Sequence, residues 1–173
     1  MSVVPGDPAS LSACGGTARS VAERLALHAH GVRTSVEALG AGWPGRTSAT
    51  TRRRGAELAA ATDVTADHLD RVGRVLQDHA TDLADLVARG RALEERARAA
   101  GLEVRDGRIE IGWGVTGAAD LEADQARAAT GAALQAELDL VLAQHRRRRD
   151  WVLGVLRDSS TGLSDLSHRL RGG

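Results

Sequence analysis

The chain has 173 residues, and its 23 basic residues, all arginine, balance 23 acidic ones, so the formal net charge is zero. A dedicated nucleic-acid binder usually carries a basic excess, so we expect no nucleic-acid partner. Phenylalanine and tyrosine are absent, and a core of alanine, valine and leucine favours closely packed helices over the aromatic-filled core of a globular enzyme. We therefore predict that the chain is not an enzyme.

The first predicted helix covers residues 8–39. Asp7 suits the N-cap and Pro8 suits the first helical position, where its missing N–H costs nothing. Gly40 suits a left-handed cap at the end of the helix. Steps of three, four and seven place one apolar stripe on this helix, formed by Leu11, Ala18, Val21, Leu25, Val32, Val36 and Leu39. Glycines within the helix weaken it by up to ~1 kcal/mol each, and packing must compensate.

Trp43-Pro44-Gly45 marks the sharp break between this helix and the next one. Pro44 biases Trp43 away from the helical conformation, so these residues are predicted to form the tip of a helical hairpin. An exposed indole at such a tip is a ready anchor for a binding partner. A buried one would instead hold the hairpin closed. Both interpretations stay open.

The second predicted helix covers residues 46–99 and carries a packing seam of coiled-coil type. The seam residues alternate in steps of three and four or their sum: Leu69, Val72, Leu76, His79, Leu83, Leu86 and Leu93. A break near Thr62-Asp63 is an alternative, since Asp63 or Thr65 could cap a new helix. This helix outruns the first, so Leu83, Leu86 and Leu93 need another cover. His79 is either a satisfied seam histidine or a partner contact.

The remaining chain supplies that cover. Residues 102–111 alternate around Asp106-Gly107, a strong signal for a short β-hairpin. A linker follows to residue 117. A helix is predicted over 118–157, an interruption at 158–162 and a short helix over 163–170. The predicted fold is all-α: one domain, 1–173, in which an elongated helical hairpin extends to a three- or four-helix bundle with one small β-hairpin.

The residues that usually carry chemistry are scattered along this chain. Six histidines and one cysteine show no metal-ligand spacing, so no metal site and no cofactor are expected. Cys14 is predicted to be a small buried residue. The arginine runs 52–54 and 146–149 fan around their helices and are predicted to be solvated. No segment has the apolar length of a membrane span, and no signal peptide is recognisable.

The order of these motifs resembles the WXG (ESAT-like) substrates of type VII secretion. Gly6-Asp7-Pro8 stands before the first helix, Trp43-Pro44-Gly45 at the hairpin tip, and the seam on the second helix. The chain is most similar to the actinobacterial variant that begins Gly-Asp-Pro. That variant stands at the front of larger effectors, often toxins, as a type VII secretion-signal domain. The resemblance covers roughly residues 6–100.

The resemblance implies a non-enzymatic secretion substrate or signal domain that pairs with a partner through its helices. It implies that Trp43 and Gly45 shape the tip and contribute to recognition. The implied partner is a WXG-type protein, the secretion machinery, a co-encoded effector or a second copy of the chain. Location would be outside the cell by a signal-peptide-independent route, or cytoplasmic before export. The family's Tyr-x-x-x-Asp/Glu export signal has no counterpart in a chain without tyrosine. The alternative function is therefore a cytosolic helical adaptor or chaperone for a co-encoded protein.

Overall fold

The predicted all-α architecture with one small β-hairpin is confirmed. The computed structural model describes residues 3–42, 45–111 and 121–172. Within these ranges the chain forms three helices and one two-stranded antiparallel sheet. Their bounds are α1 Pro8–Gly42, α2 Arg46–Ala99, β1 Leu102–Arg105, β2 Arg108–Ile111 and α3 Leu121–Gly172.

Helix α1 begins at Pro8, as predicted, but it continues past Gly40 to Gly42. Both glycines are helical, and the positive φ after them is at Gly45. A glycine ends a helix only when the chain turns there, and here the turn comes later. Cys14 is exposed rather than buried. Its neighbour Gly15 occupies the buried position, because successive helical residues differ by about 100°.

Helix α2 is continuous, without a break at Thr62-Asp63. The hydroxyls of Thr62 and Thr65 donate to carbonyl oxygens one turn earlier, at 2.8 and 2.9 Å, instead of capping a new helix. The Asp63 carboxylate pairs with Arg33 of α1. Both potential caps are therefore engaged in ways that leave the helix intact. The helix ends before Gly101, where a positive φ of 73° reverses the chain.

The β-hairpin has the predicted turn. Asp106 and Gly107 have φ of 49° and 76°, as a two-residue type I′ connection requires. Val104 pairs with Ile109 and Leu102 with Ile111. Gln135 of α3 holds the hairpin: its Oε1 accepts from Ile109 N at 2.7 Å, and its Nε2 donates to Gly107 O at 3.2 Å. These bonds supply the support that an isolated hairpin lacks in water.

Helix α3 runs through residues 158–162, where the sequence predicted an interruption. Ser159 is only 4% exposed. A Cβ at Gly162 would lie 2.8 Å from the ring of His68, so the glycine permits close packing on α2. Tertiary packing therefore overrides the weak helix propensity of Ser, Thr and Gly. The predicted start at residue 118 lies outside the described residues.

The chain divides into two compact units. The unit formed by Ala9–Asp78 and Val152–Gly173 (the hairpin unit) has a core of Val75, Leu76, Val152 and Val155. Its two long helices bury small residues every seven positions. These are Gly15, Ala22 and Ala29 on α1, and Ala59, Ala66 and Gly73 on α2. Heptad spacing of small residues lets helix backbones approach closely.

The other unit comprises Met1–Pro8 and His79–Trp151 (the composite unit). In it the segment before α1 packs on α2. Val4 is 1% exposed, and a Cβ at Gly90 would lie 3.0 Å from side-chain carbons of Val3 and Val4. Val3 N donates to Glu94 Oε1 at 2.7 Å. The prediction of a single domain stays a prediction.

Part of α3 covers α2 within the composite unit. Arg96 of α2 makes a two-fold hydrogen-bonded ion pair with Glu137 of α3, with N–O distances of 2.6 and 2.9 Å. Leu134, Leu138 and Val141 of α3 are buried. No helix in the described part of the chain is apolar enough over a sufficient length to cross a membrane.

Candidate functional site

The predicted recognition tip is described only at Gly45. Trp43 and Pro44 lie outside the described residues. Gly45 is exposed, and its φ is +127°. Its carbonyl oxygen accepts a hydrogen bond from Ala49 N at 3.0 Å, which makes Gly45 the N-cap of α2. This φ is strained for any residue with a Cβ, so glycine is required where the chain enters α2.

The predicted packing seam lies largely in the interior. Leu76, His79, Leu83, Leu86 and Leu93 are buried. Leu69 and Val72 are half-buried, and Val72 packs against the core of the hairpin unit. These side chains are covered by the chain itself, so most of the seam is not a free surface for a partner.

Two histidines of the composite unit are buried: His79 in the seam of α2, and His145 on α3. His79 and His145 are 5% and 7% exposed. His79 Nδ1 has no hydrogen-bond partner among the described residues, so this histidine is not fully satisfied. His145 forms a hydrogen bond with the backbone of Pro5. Because proline has no backbone N–H, the ring must donate to the Pro5 carbonyl oxygen. This contact adds to those that Val3 and Val4 make with Glu94 and Gly90 of α2.

The surroundings of both histidines favour the neutral ring. Burial lowers the pKa of His79, the charges of Arg148 and then of His145 lower it further, and the carboxylate of Asp82 opposes them. Burial also lowers the pKa of His145, Arg149 adds to the effect, and the hydrogen bond to Pro5 opposes it. A proton on either ring is therefore disfavoured in the folded chain.

Beside these histidines an arginine links α2 to an exposed tryptophan. Arg148 Nε lies 2.6 Å from Asp82 Oδ2, and its guanidinium carbon lies 4.5 Å from the centre of the Trp151 ring. The indole remains 48% exposed. The run 146–149 is predicted to be solvated, whereas Arg148 is engaged with Asp82 and Trp151. The available signal was the three-residue spacing of Arg148 and Trp151, which puts them on one helix face.

A shallow groove of about 360 Å³ adjoins this tryptophan and is lined by Asp82, Leu86, Gln144, Arg147, Arg148 and Trp151. A second, of about 290 Å³, continues from it between the same helices. Both lie within the composite unit. Their walls combine aliphatic, aromatic and guanidinium groups.

A metal site has little support in the described ranges. No group of three or more His, Cys, Asp or Glu side chains there is placed to hold a metal ion. The guanidinium of Arg148 acts on His79 and that of Arg149 on His145, and Asp82 is the carboxylate that acts on His79. Cationic surroundings oppose cation binding. The candidate sites are therefore the hairpin tip and the groove beside Trp151.

Comparison of the chain with known protein families, with curated proteins and with solved structures finds no match in any of the three.

Proposed function

We propose that this chain is a non-enzymatic type VII secretion substrate or secretion-signal domain that acts through helix–helix pairing with a protein partner. The observation that carries the proposal is the helical hairpin of α1 and α2 with Gly45 at its turn. In the sequence, Gly6-Asp7-Pro8 precedes or begins α1 and Trp43-Pro44-Gly45 separates α1 from α2, which is the order of motifs on which the family resemblance depends.

The backbone at Gly45 supports a requirement for glycine in this motif. Gly45 has a φ of +127° at the N-cap of α2. Only a residue without a Cβ adopts that angle readily, which explains why glycine, rather than another small residue, follows Trp43-Pro44.

The seam adds a constraint on the partner. Because Leu76, Leu83 and Leu86 are already buried, the partner is proposed to engage the tip or other exposed helix faces.

Export is the direct test. The tagged chain is expressed in an actinobacterial host with an intact type VII secretion ATPase and in a matched host without it, with a cytosolic enzyme as the control for lysis. We expect the chain outside the cell only in the intact host. Equal extracellular amounts in both hosts would refute the proposal.

Two variants connect export to the tip. Trp43→Ala and Gly45→Ala are expected to reduce the extracellular fraction. Their controls are Trp113→Ala, in the predicted linker, and Gly42→Ala, at the end of α1. Both controls are expected to leave the extracellular fraction unchanged. Intracellular amounts and far-ultraviolet circular dichroism of the purified variants separate a loss of recognition from a loss of folding. Normal export of Trp43→Ala would remove the tip from the proposed signal.

The absence of tyrosine favours a second candidate, a cytosolic adaptor or chaperone for a co-encoded protein. Co-expression with the product of the neighbouring gene, followed by gel filtration, tests it. Co-elution together with retention in both hosts would favour the adaptor. A chain that never co-elutes with its neighbour would count against it.

A further inference from the structure

The two adjoining grooves of the composite unit form one continuous surface, named here the α2–α3 groove. Gln144 lines both parts. Leu86 and Leu93 of α2 contribute its buried apolar floor. Leu140 and Trp151 of α3 stand near its two ends. The surface is therefore an open channel between two helices of the same unit.

Its two ends carry large exposed apolar side chains. Leu140 is 70% exposed and Trp151 is 48% exposed. They are separated by three helical turns, about 16 Å along the axis, and Gln144 lies on the same face between them. A second helix lying along the channel would repeat its own apolar residues with the same period, so it could contact both ends at once.

Trp151 is held in place before any partner arrives. Arg148 stacks on the indole while its Nε contacts the Asp82 carboxylate at 2.6 Å. The aromatic side chain is thereby tied to α2 as well as to its own helix. An aromatic anchor that is already ordered loses less conformational entropy on binding, which is a common property of interface hot spots.

The walls of the groove carry a surplus of positive charge. Arg96 pairs with Glu137 and Arg148 with Asp82. Arg147 and Arg89 also line the groove. Within the described ranges neither of these two is paired with a carboxylate, and Arg89 instead donates to Gln144 Oε1 at 3.4 Å. A partner with acidic residues beside its apolar stripe would complement them.

We propose that the α2–α3 groove binds an acidic amphipathic helix of a protein partner, at least three turns long. A second copy of the chain is the poorer occupant, because a symmetric contact would bring the same unpaired arginines together. The proposal does not depend on export, and it places a partner surface on α3, beyond the span of the family resemblance.

Selection from a displayed peptide library tests the groove directly. The library holds helical peptides of about 18 residues, five turns, with a fixed leucine stripe and polar positions randomised among Asp, Glu, Lys, Arg, Gln and Ser. The target is the full chain. We expect the selected peptides to be enriched in Asp and Glu. Enrichment of basic peptides, or of none, would overturn the proposal.

Matched leucines locate the binding surface. Leu140→Asp in the groove and Leu27→Asp on α1 replace side chains of nearly equal exposure, 70% and 72%. Fluorescence anisotropy with a selected peptide is expected to show at least about tenfold weaker binding for Leu140→Asp and for Trp151→Ala, as for a hot spot. Leu27→Asp should bind normally. Equal binding by all variants would overturn the assignment.

Two further measurements address charge and self-association. Replacing Arg89 and Arg147 together by Gln should weaken binding and reduce its dependence on salt concentration. Unchanged affinity and salt dependence would refute the acidic partner. Analytical ultracentrifugation of the chain alone should give the same mass for the native protein and for Leu140→Asp. A dimer that this substitution dissociates would show that the groove is occupied by a second copy instead.

Discussion

Gly15 of α1 and Gly73 of α2 meet so closely that a Cβ on either one would lie 2.7 Å from the carbonyl oxygen of the other. The contact is reciprocal and involves backbone atoms, which cannot move aside as a flexible side chain does. Both glycines also belong to the two series of small buried residues that are spaced seven positions apart. The glycines that weaken α1 as an isolated helix are thus part of what holds the hairpin unit together.

Gly15→Ala is expected to destabilise the chain, although alanine is the better helix former. Overpacking typically costs about 1–3 kcal/mol, which exceeds the gain in helix propensity of up to ~1 kcal/mol. Gly31→Ala is the matched control, because a Cβ there has no neighbour within 4 Å. Urea denaturation should show a lower unfolding free energy for Gly15→Ala and a higher one for Gly31→Ala. Stabilisation by both would contradict the close contact.

Gly45→Ala is expected to lower the unfolding free energy by about 1–3 kcal/mol, the usual cost of a strained backbone conformation. The reason is its φ of +127°. Gly42→Ala, three residues earlier, introduces a Cβ into open space at a helical position. It should be neutral or slightly stabilising. The comparison uses thermal unfolding of both variants, and equal transition temperatures would argue against the strain.

Val4→Ala removes two buried methyl groups and is expected to cost about 1.6 kcal/mol, at about 0.8 kcal/mol for each buried carbon, with a further cost for the cavity that it leaves. Val4 is 1% exposed and packs at Gly90. Val64→Ala removes the same atoms from a side chain that is 40% exposed, and it should change stability much less. Hydrogen exchange of the amides around Gly90 should accelerate in Val4→Ala. Unchanged exchange there would show that the segment before α1 does not stabilise α2.

Acidification is expected to destabilise the chain through His79 and His145, both of which have lowered pKa values. A folded-state pKa below the unfolded value means that the unfolded chain binds protons first as the pH falls. The contribution of the neutral rings is complete above the unfolded histidine pKa of about 6.5. It declines below that pH and stops changing once the folded pKa is passed.

His79→Leu removes one of these two titrating groups and the unpartnered Nδ1 with it. Stability measured by urea denaturation from about pH 7.5 to about pH 5, a range that spans the ordinary histidine pKa, should fall less steeply for this variant than for the native chain. His28→Leu, at an exposed position, should retain the native slope. If stability changed with pH in parallel for the native chain and for His79→Leu, protonation of His79 would have no role in the acid destabilisation.

Local patterns predicted the fold class because they depend on short-range rules. Asp106-Gly107 gave the correct hairpin turn, since few dipeptides adopt two successive positive φ angles. The continuity of α3 at Gly162 was not predictable in this way, because it depends on His68, nearly a hundred residues earlier. The docking of Val3 and Val4 at Gly90 was not predictable either. Two adjacent valines have no periodicity, and their partners are distant in sequence.

The candidate sites were predictable to a smaller extent. The spacing of the second-helix seam was visible in the sequence, but a seam does not reveal whether the chain or a partner covers it. The contact between Arg148 and Asp82 joins residues 66 positions apart, and a run of four arginines reads as solvent-facing charge. Contacts between residues on different helices become visible only in the folded structure. The contact of Arg148 with Asp82 is one of them, and it positions Arg148 beside Trp151 in the groove.

The composite unit joins the residues up to Pro8 to residues after Asp78, and the hairpin unit likewise needs the chain beyond Trp151. Neither unit is a contiguous stretch, so a cut at residue 100, where the family resemblance ends, divides both. During synthesis, Val3 and Val4 emerge long before Gly90, and α1 emerges long before Val152. Neither unit can therefore complete its native packing until α3 has been synthesised. Until then, the segments that α3 covers are accessible to a protein that binds incompletely folded chains.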